Sequence, residues 1–236
     1  MAPTLSITCD AAADELLSTD PLALLLGMLL DQQVAMETGF AGLEKLRQLL
    51  GKLDAVEIAH NDADALVEVF KQTPAVHRFP GSMAARAQAL CAAIEEDWGG
   101  DAAALWTRDA PTGAEVLRRL KVLPGFGEQK AKIFLALLGK RYGRKAEGWR
   151  EAAGAYGAEG TYLSVADIVD LESLARVREA KRAVTAAGEN AGPARAATRP
   201  GPPGVPSLRH AQRPYAGARI RQRTHAIQQS SGDTPF

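Results

Sequence analysis

The run Leu22-Ala-Leu-Leu-Leu-Gly-Met-Leu-Leu30 most restricts how this chain can fold. A helix that is apolar on every side has no face to offer water, so it must be surrounded by other elements. At about half of the ~20 residues a membrane span needs, it reads as the central helix of a globular protein and not as a membrane segment. Ser18-Thr19-Asp20-Pro21 supplies a capping side chain and a first-turn proline in front of it. The pattern predicts one helix from Leu22 through Met36, whose polar end, Asp31-Gln32-Gln33, reaches a surface.

What surrounds this helix is also helical. Asp10 to Leu17, Gly39 to Leu50, Asp62 to Lys71, Ser82 to Trp98, Gly113 to Lys121, Glu128 to Lys140 and Ser173 to Ala187 carry apolar residues at helical spacing, with no convincing period-2 strand between them. The expected class is all-α: two packed helical subdomains containing a helix-hairpin-helix, followed by a disordered C-terminal tail. Leu22 to Trp106 forms one expected subdomain, and the N-terminal segment with Gly113 to Ala187 forms the other. Together they make a domain over 1–188. Residues 189–236 form the tail, because from 186 onward the chain holds seven of its thirteen prolines and seven arginines but no lysine, with nothing periodic to bury. An arginine-only tail behind a chain that uses lysine freely also resembles out-of-frame translation of GC-rich DNA.

Two cysteines, Cys9 and Cys91, are too few for a disulfide framework or a four-cysteine metal site. The four histidines, His60, His77, His210 and His225, form no i, i+4 pair. No metal and no cofactor is expected. The first residues, Met-Ala-Pro-Thr-Leu-Ser, have neither a basic lead nor an apolar core for secretion, so the cytoplasm is the expected compartment.

The formal net charge is zero, yet it is unevenly spread. Residues 1–116 carry −11, residues 117–145 carry +8, residues 146–185 carry −2 and the remainder +5. A basic segment isolated in a neutral chain suits an anionic polymer, which releases counterions when its phosphates are neutralised. A solvated helix face is the plainer alternative.

Within the basic segment, Arg118 to Gly139 reads RRLKVLPGFGEQKAKIFLALLG: a helix end, a Leu-Pro-Gly-Phe-Gly turn and a second helix. Pro124 shapes the turn. Gly125 and Gly127 allow positive φ and leave backbone amides bare, so a phosphate can approach the next helix N-terminus. Phe126 points inward between the helices. Lys130 and Lys132 lie one turn in, and Arg118, Arg119 and Lys121 flank the other side, placed to add charge beside that phosphate. The pattern points to backbone contact without base readout; a tight αα-hairpin needing its glycines for geometry alone is the alternative.

These residues resemble the helix-hairpin-helix DNA glycosylases of base excision repair, in particular a compact actinobacterial-type branch, over roughly residues 10–185. Leu123-Pro-Gly-Phe-Gly127 is similar to that family's Leu-Pro-Gly-Val-Gly hairpin. Met28-Leu-Leu-Asp-Gln-Gln33 is similar to the helix ending in a glutamine that fills the gap left by a flipped base, which gives that role to Gln33. Phe79-Pro-Gly-Ser-Met-Ala-Ala-Arg-Ala-Gln-Ala-Leu90 resembles the helix that packs the two subdomains. The resemblance implies a monomer acting on duplex DNA in the cytoplasm, associated with the nucleoid, with Gln33, Pro124, Gly125, Phe126, Gly127, Gln129, Lys130 and Lys132 facing DNA.

Two departures shape the implied chemistry. Family members that also cleave the strand carry a nucleophilic lysine two residues after the second hairpin glycine, where this chain has Gln129; a monofunctional N-glycosylase without lyase activity is therefore implied. The family's aspartate, about twenty residues past that glycine, is absent, since no aspartate occurs between Asp109 and Asp167. Glu147 is the carboxylate in register, implied to assist water and stabilise an oxocarbenium-like transition state, with Glu151 one turn later. Glu147 also reads as an ordinary loop glutamate, in which case the chain is a catalytically inactive module that binds DNA lesions. A helical interaction protein whose hairpin merely joins two helices is the third reading. Trp149 is either a stacking surface for a flipped base or a lid on the core, whereas Trp98 and Trp106 read as core. Asp31 reads as a local cap or local hydrogen-bonding group, and no catalytic role is expected of it.

Overall fold

The computed structural model describes residues 5–190, with side chains through Val184; the expected tail lies outside the described residues. Those residues contain helices and turns and no strand, and belong to one compact unit, Met1–Gly192. The class is all-α.

Caps written in the sequence set most boundaries. Asp10 accepts from the Ala13 amide and opens α1 (Ala11–Thr19); Asp20 closes α1, accepts from the Leu22 and Ala23 amides and opens α2 (Pro21–Leu30). Each carboxylate satisfies amides that the first turn leaves without partners. Every α2 residue from Leu22 to Leu30 is buried, and the expected central helix is there. It is shorter than expected. The chain leaves the helix at Asp31, crosses a bend, and restarts as α3 (Met36–Leu50), so Asp31-Gln32-Gln33 belongs to a loop and not to a helix end. Apolar residues resume directly across this gap, which is why periodicity alone joined the two.

The short α4 (Ala55–Ala59), α5 (Ala63–Lys71) and the long α6 (Pro80–Trp98) follow, then α7 (Ala104–Thr107). α2 packs on α1, α3 and α6, and α6 also packs on α4 and α5. α1 packs on α2 and α3 and also lines a cavity with Val169, Asp170 and Leu171 at the start of the last helix. Trp106 is buried, while Trp98 is half-buried beneath the guanidinium groups of Arg108 and Arg119, each 5.1 Å from its ring. The hairpin helices α8 (Gly113–Lys121) and α9 (Glu128–Lys140) pack against each other and against α10 (Trp149–Ala153). Two 3-10 turns, Gly154–Gly157 and Val165–Asp167, return along α9 before α11 (Leu171–Asn190).

Candidate functional site

The hairpin turn is as spaced. Gly125 takes φ +81°, and a Cβ there would lie 2.4 Å from Leu29 Cδ1, so the turn presses against the last turn of α2 and a side chain there would have to displace the Leu29 methyl. Gly127 differs from the expectation. Its φ is −78°, open to any residue, and a Cβ there would meet nothing within 4 Å. The fold does not require a glycine at 127. Phe126 is buried and packs edge-on to Phe134 at 5.9 Å, inward as its place between the helices predicts; its ring therefore does not face DNA as the resemblance implied, and Pro124 is half-buried beside it.

The cations around the turn are less available than their sequence positions suggest. Arg118 and Arg119 both hydrogen-bond Glu115, which holds that carboxyl down at about 2. Arg119 also donates to the Leu105 and Arg108 carbonyls. Lys121 and Lys132 pair with Glu128 across the mouth of the hairpin, at 3.4 and 2.8 Å. Glu128 thus already neutralises two of the cations assigned to a phosphate, and the pairs must open for one to be held. Gln129 is exposed and donates to the Tyr156 hydroxyl at 3.0 Å.

Lys130 has a different task from the one its position implied. Its Nζ reaches back to donate to the carbonyls of Met28 (2.7 Å) and Leu29 (3.2 Å), two acceptors that α2 leaves open at its C-terminus. Burial pushes its ammonium down to about 8; Asp31 opposes that shift, and Arg86 and Lys181 add to it. Lys130 is therefore the bolt between hairpin and α2.

The loop after α2 is where the elements converge. Gln32 is engaged at both ends of its amide: Nε2 donates to the Leu29 carbonyl and Oε1 accepts from Arg86 of α6 at 2.7 Å. Buried His77 accepts the Phe79 amide at Nδ1, which leaves its hydrogen on Nε2, donated to the Gln32 carbonyl at 3.1 Å. Asp31, with a largely covered side chain, lies 3.5 Å from Lys181 of α11. Arg178, also on α11, pairs with Glu37 on α3. With Gln32 held this way, Gln33 is pushed outward. It is exposed, takes φ +57°, and its side chain makes no hydrogen bond to a described residue. A left-handed glutamine costs roughly 1 kcal/mol or more, and such strain persists only where neighbours impose it. Gln33, Asp31, Arg86, Lys130 and Gly125 thus share one end of α9.

Glu147 is at the other end. α9 is 13 residues long, about 20 Å at 1.5 Å per residue, and Glu147 lies beyond its C-terminus, exposed, on the rim of a separate cavity of about 430 Å³. Its carbonyl accepts from the Gly113 amide, which ties it to the start of α8, away from the turn. The structure does not bring Glu147 and Gln33 together. Glu151, one turn on, is exposed in α10 at that same end. Trp149 is core, not a stacking surface: its indole lies so close to α9 that a Cβ on Gly139 would be 2.4 Å from the ring. Asp31, read in the sequence as a local cap, is the C-cap of α2, its amide donating to the Gly27 carbonyl, and it is the carboxylate beside the Gln33 loop.

Among the described residues no group of three or more His, Cys, Asp or Glu is placed to hold a metal ion, and no helix is long and apolar enough to cross a membrane. Neither a scan against protein-family models nor a search of curated proteins finds a match to this chain.

Proposed function

We propose that this chain is a base excision repair protein of the helix-hairpin-helix type: a monofunctional DNA N-glycosylase that binds duplex DNA, fills the gap of a flipped base with Gln33 and hydrolyses its glycosidic bond. One observation carries the reading. The hairpin turn and the Gln33 loop are held against each other by the Gly125–Leu29 contact and the Lys130 bonds to α2, so a backbone-binding turn and an outward, strained side chain share one surface. A protein that displaces a base needs both at once, one to hold the strand and one to occupy the gap. Either alone would suit an ordinary αα-hairpin.

The carboxylate assigned to the chemistry is Asp31 in place of Glu147, because Asp31 adjoins the Gln33 loop. Its negative charge suits an oxocarbenium-like transition state, and its partner Lys181 fixes its orientation. Glu147, by its distance from the turn, favours the second reading, a lesion-binding module without chemistry. A panel of duplexes, each with one damaged or mismatched base, scored for abasic sites, decides between them. Excision lost in Asp31→Asn and kept in Glu147→Gln supports the enzyme; tight binding to abasic DNA with no excision of any base supports the module. Absence of salt-dependent DNA affinity overturns both.

A further inference from the structure

A cavity of about 480 Å³ opens beside the C-terminal end of α9, separate from the hairpin, between Arg141, the loop at Lys145 and the chain from Gly160 to Arg176. That volume is in the range of small-ligand sites. Its walls are preset by ion pairs. Lys140 and Asp167 meet at 2.6 Å, both almost fully covered, and Asp167 also accepts from the Leu163 and Ser164 amides. Arg150 pairs with Glu159 and Arg176 with Glu172. One further carboxylate, Asp170, is taken up by the Ser173 amide and hydroxyl, at 2.8 Å each.

Two lining cations remain. Arg141 and Lys145 make no ion pair to any described residue, and Arg141 Nε is buried without a hydrogen-bond partner. A buried guanidinium N–H left unpaired is costly unless something supplies an acceptor. Nothing in the surrounding wall does. The lining carries one more positive than negative group, so an anion is selected over a cation. A guanidinium and an ammonium lining one cavity suit a phosphate: the planar fork takes two oxygens, and the ammonium adds a point charge to a third. Space beyond that group accommodates the remainder of a small molecule.

We propose that this cavity binds a small phosphate monoester, its phosphate held between Arg141 and Lys145. The Nε atom is itself covered, so the bonds expected are from the terminal guanidinium nitrogens of Arg141 to phosphate oxygens, and the neighbouring Nε–H resonance reports occupancy through the guanidinium group. The intact chain is titrated with inorganic phosphate, then adenosine monophosphate, at ionic strength held constant with chloride. A saturable downfield shift of the Arg141 Nε–H, reached at lower concentration with the nucleotide, supports the site. Arg141→Lys keeps the charge but removes the fork, and weakens phosphate binding at least tenfold by calorimetry; Lys145→Gln weakens it several-fold. A third arm uses a short DNA strand with and without a 5′-phosphate: binding that needs the terminal phosphate, with free nucleotide inert, makes the strand end the source of the monoester. A shift that grows linearly without saturating, equal binding by Arg141→Lys and the unaltered chain, or equal action of both DNA strands at the Arg141 resonance overturns the proposal.

Discussion

The two ends of α9 contrast sharply. At its N-terminal end, elements far apart in sequence are tied by directed bonds: Lys130 to the Met28 and Leu29 carbonyls, Gln32 to Arg86, and His77 to the Gln32 carbonyl. These bonds commit polar groups to α2's open end and leave Gln33 exposed in a left-handed conformation. At its C-terminal end the walls are ion pairs spanning shorter stretches of chain, at most 27 residues for Lys140 and Asp167, and what stays unsatisfied is a cation, Arg141. One end of this helix therefore lies by a loop with a strained neutral side chain, Gln33, and the other carries an unpaired cation, Arg141. Recognition of a duplex with a gap suits the first, and capture of a small anion suits the second.

The sharpest way to break this comparison is to move the chemistry between ends. Asp31→Asn is expected to lower excision of a susceptible base by at least about a hundredfold while binding persists, whereas Glu147→Gln stays within about twofold, measured by single-turnover cleavage at abasic sites. The reverse result returns the reaction to the far end.

Next in size are the two hairpin glycines, which look equivalent in sequence. Gly125→Ala must accommodate both φ +81° and a Cβ 2.4 Å from Leu29, and should lose about 1–3 kcal/mol of stability in denaturant unfolding. Gly127→Ala has ordinary φ and open space, and should keep its stability while duplex affinity falls several-fold for any base sequence. Equal stability losses would mean that Gly127 serves only the fold.

The adjacent glutamines offer a third test. Gln32→Ala removes both amide bonds and should cost about 1 kcal/mol of stability. Gln33→Gly relieves the left-handed backbone and should add up to about 1 kcal/mol, yet bind abasic duplex more weakly than the unaltered chain. Stability moving the same way in both variants would remove the distinction between a holding and a displaced glutamine.

The smallest effect concerns pH. Burial holds Lys130 at about 8 against an ordinary 10.5. Between those values the unfolded chain keeps a proton that the folded chain has released, so this residue makes stability rise with pH in that window, and its burial is unfavourable below it. Lys130→Met should flatten that part of the curve in denaturant melts from pH 7 to 10. An unchanged slope would place the amine in water.

Much of the helical framework is local and was therefore legible. Asp10, Asp20, Asp62 and Thr112 are short acceptors placed just ahead of apolar periodic segments, and each opens a helix with its own side chain. Gly113 to Lys121 and Glu128 to Lys140 end where their spacing predicts. The brief α4, α7 and α10 carry too few turns to show a period. The break after Leu30 was hidden for another reason: apolar residues continue on both sides, and what stops the helix is distant, Arg86 and His77 drawing on Gln32 and Lys130 on the α2 carbonyls.

The sequence by itself determined the class, the central place of α2, the inward Phe126 and the position of the hairpin, since these follow from hydrophobic period, caps and turn residues within a few positions of one another. Only the tertiary structure decided that Lys130 bolts two helices, that Glu128 occupies Lys121 and Lys132, that Trp149 is buried, and that Asp31 and not Glu147 shares a surface with Gln33. A side chain's charge is a property of the residue. Whether that charge is free depends on partners that folding delivers from as many as about a hundred positions away, as Lys130 and Met28 are, and no local pattern encodes their arrival.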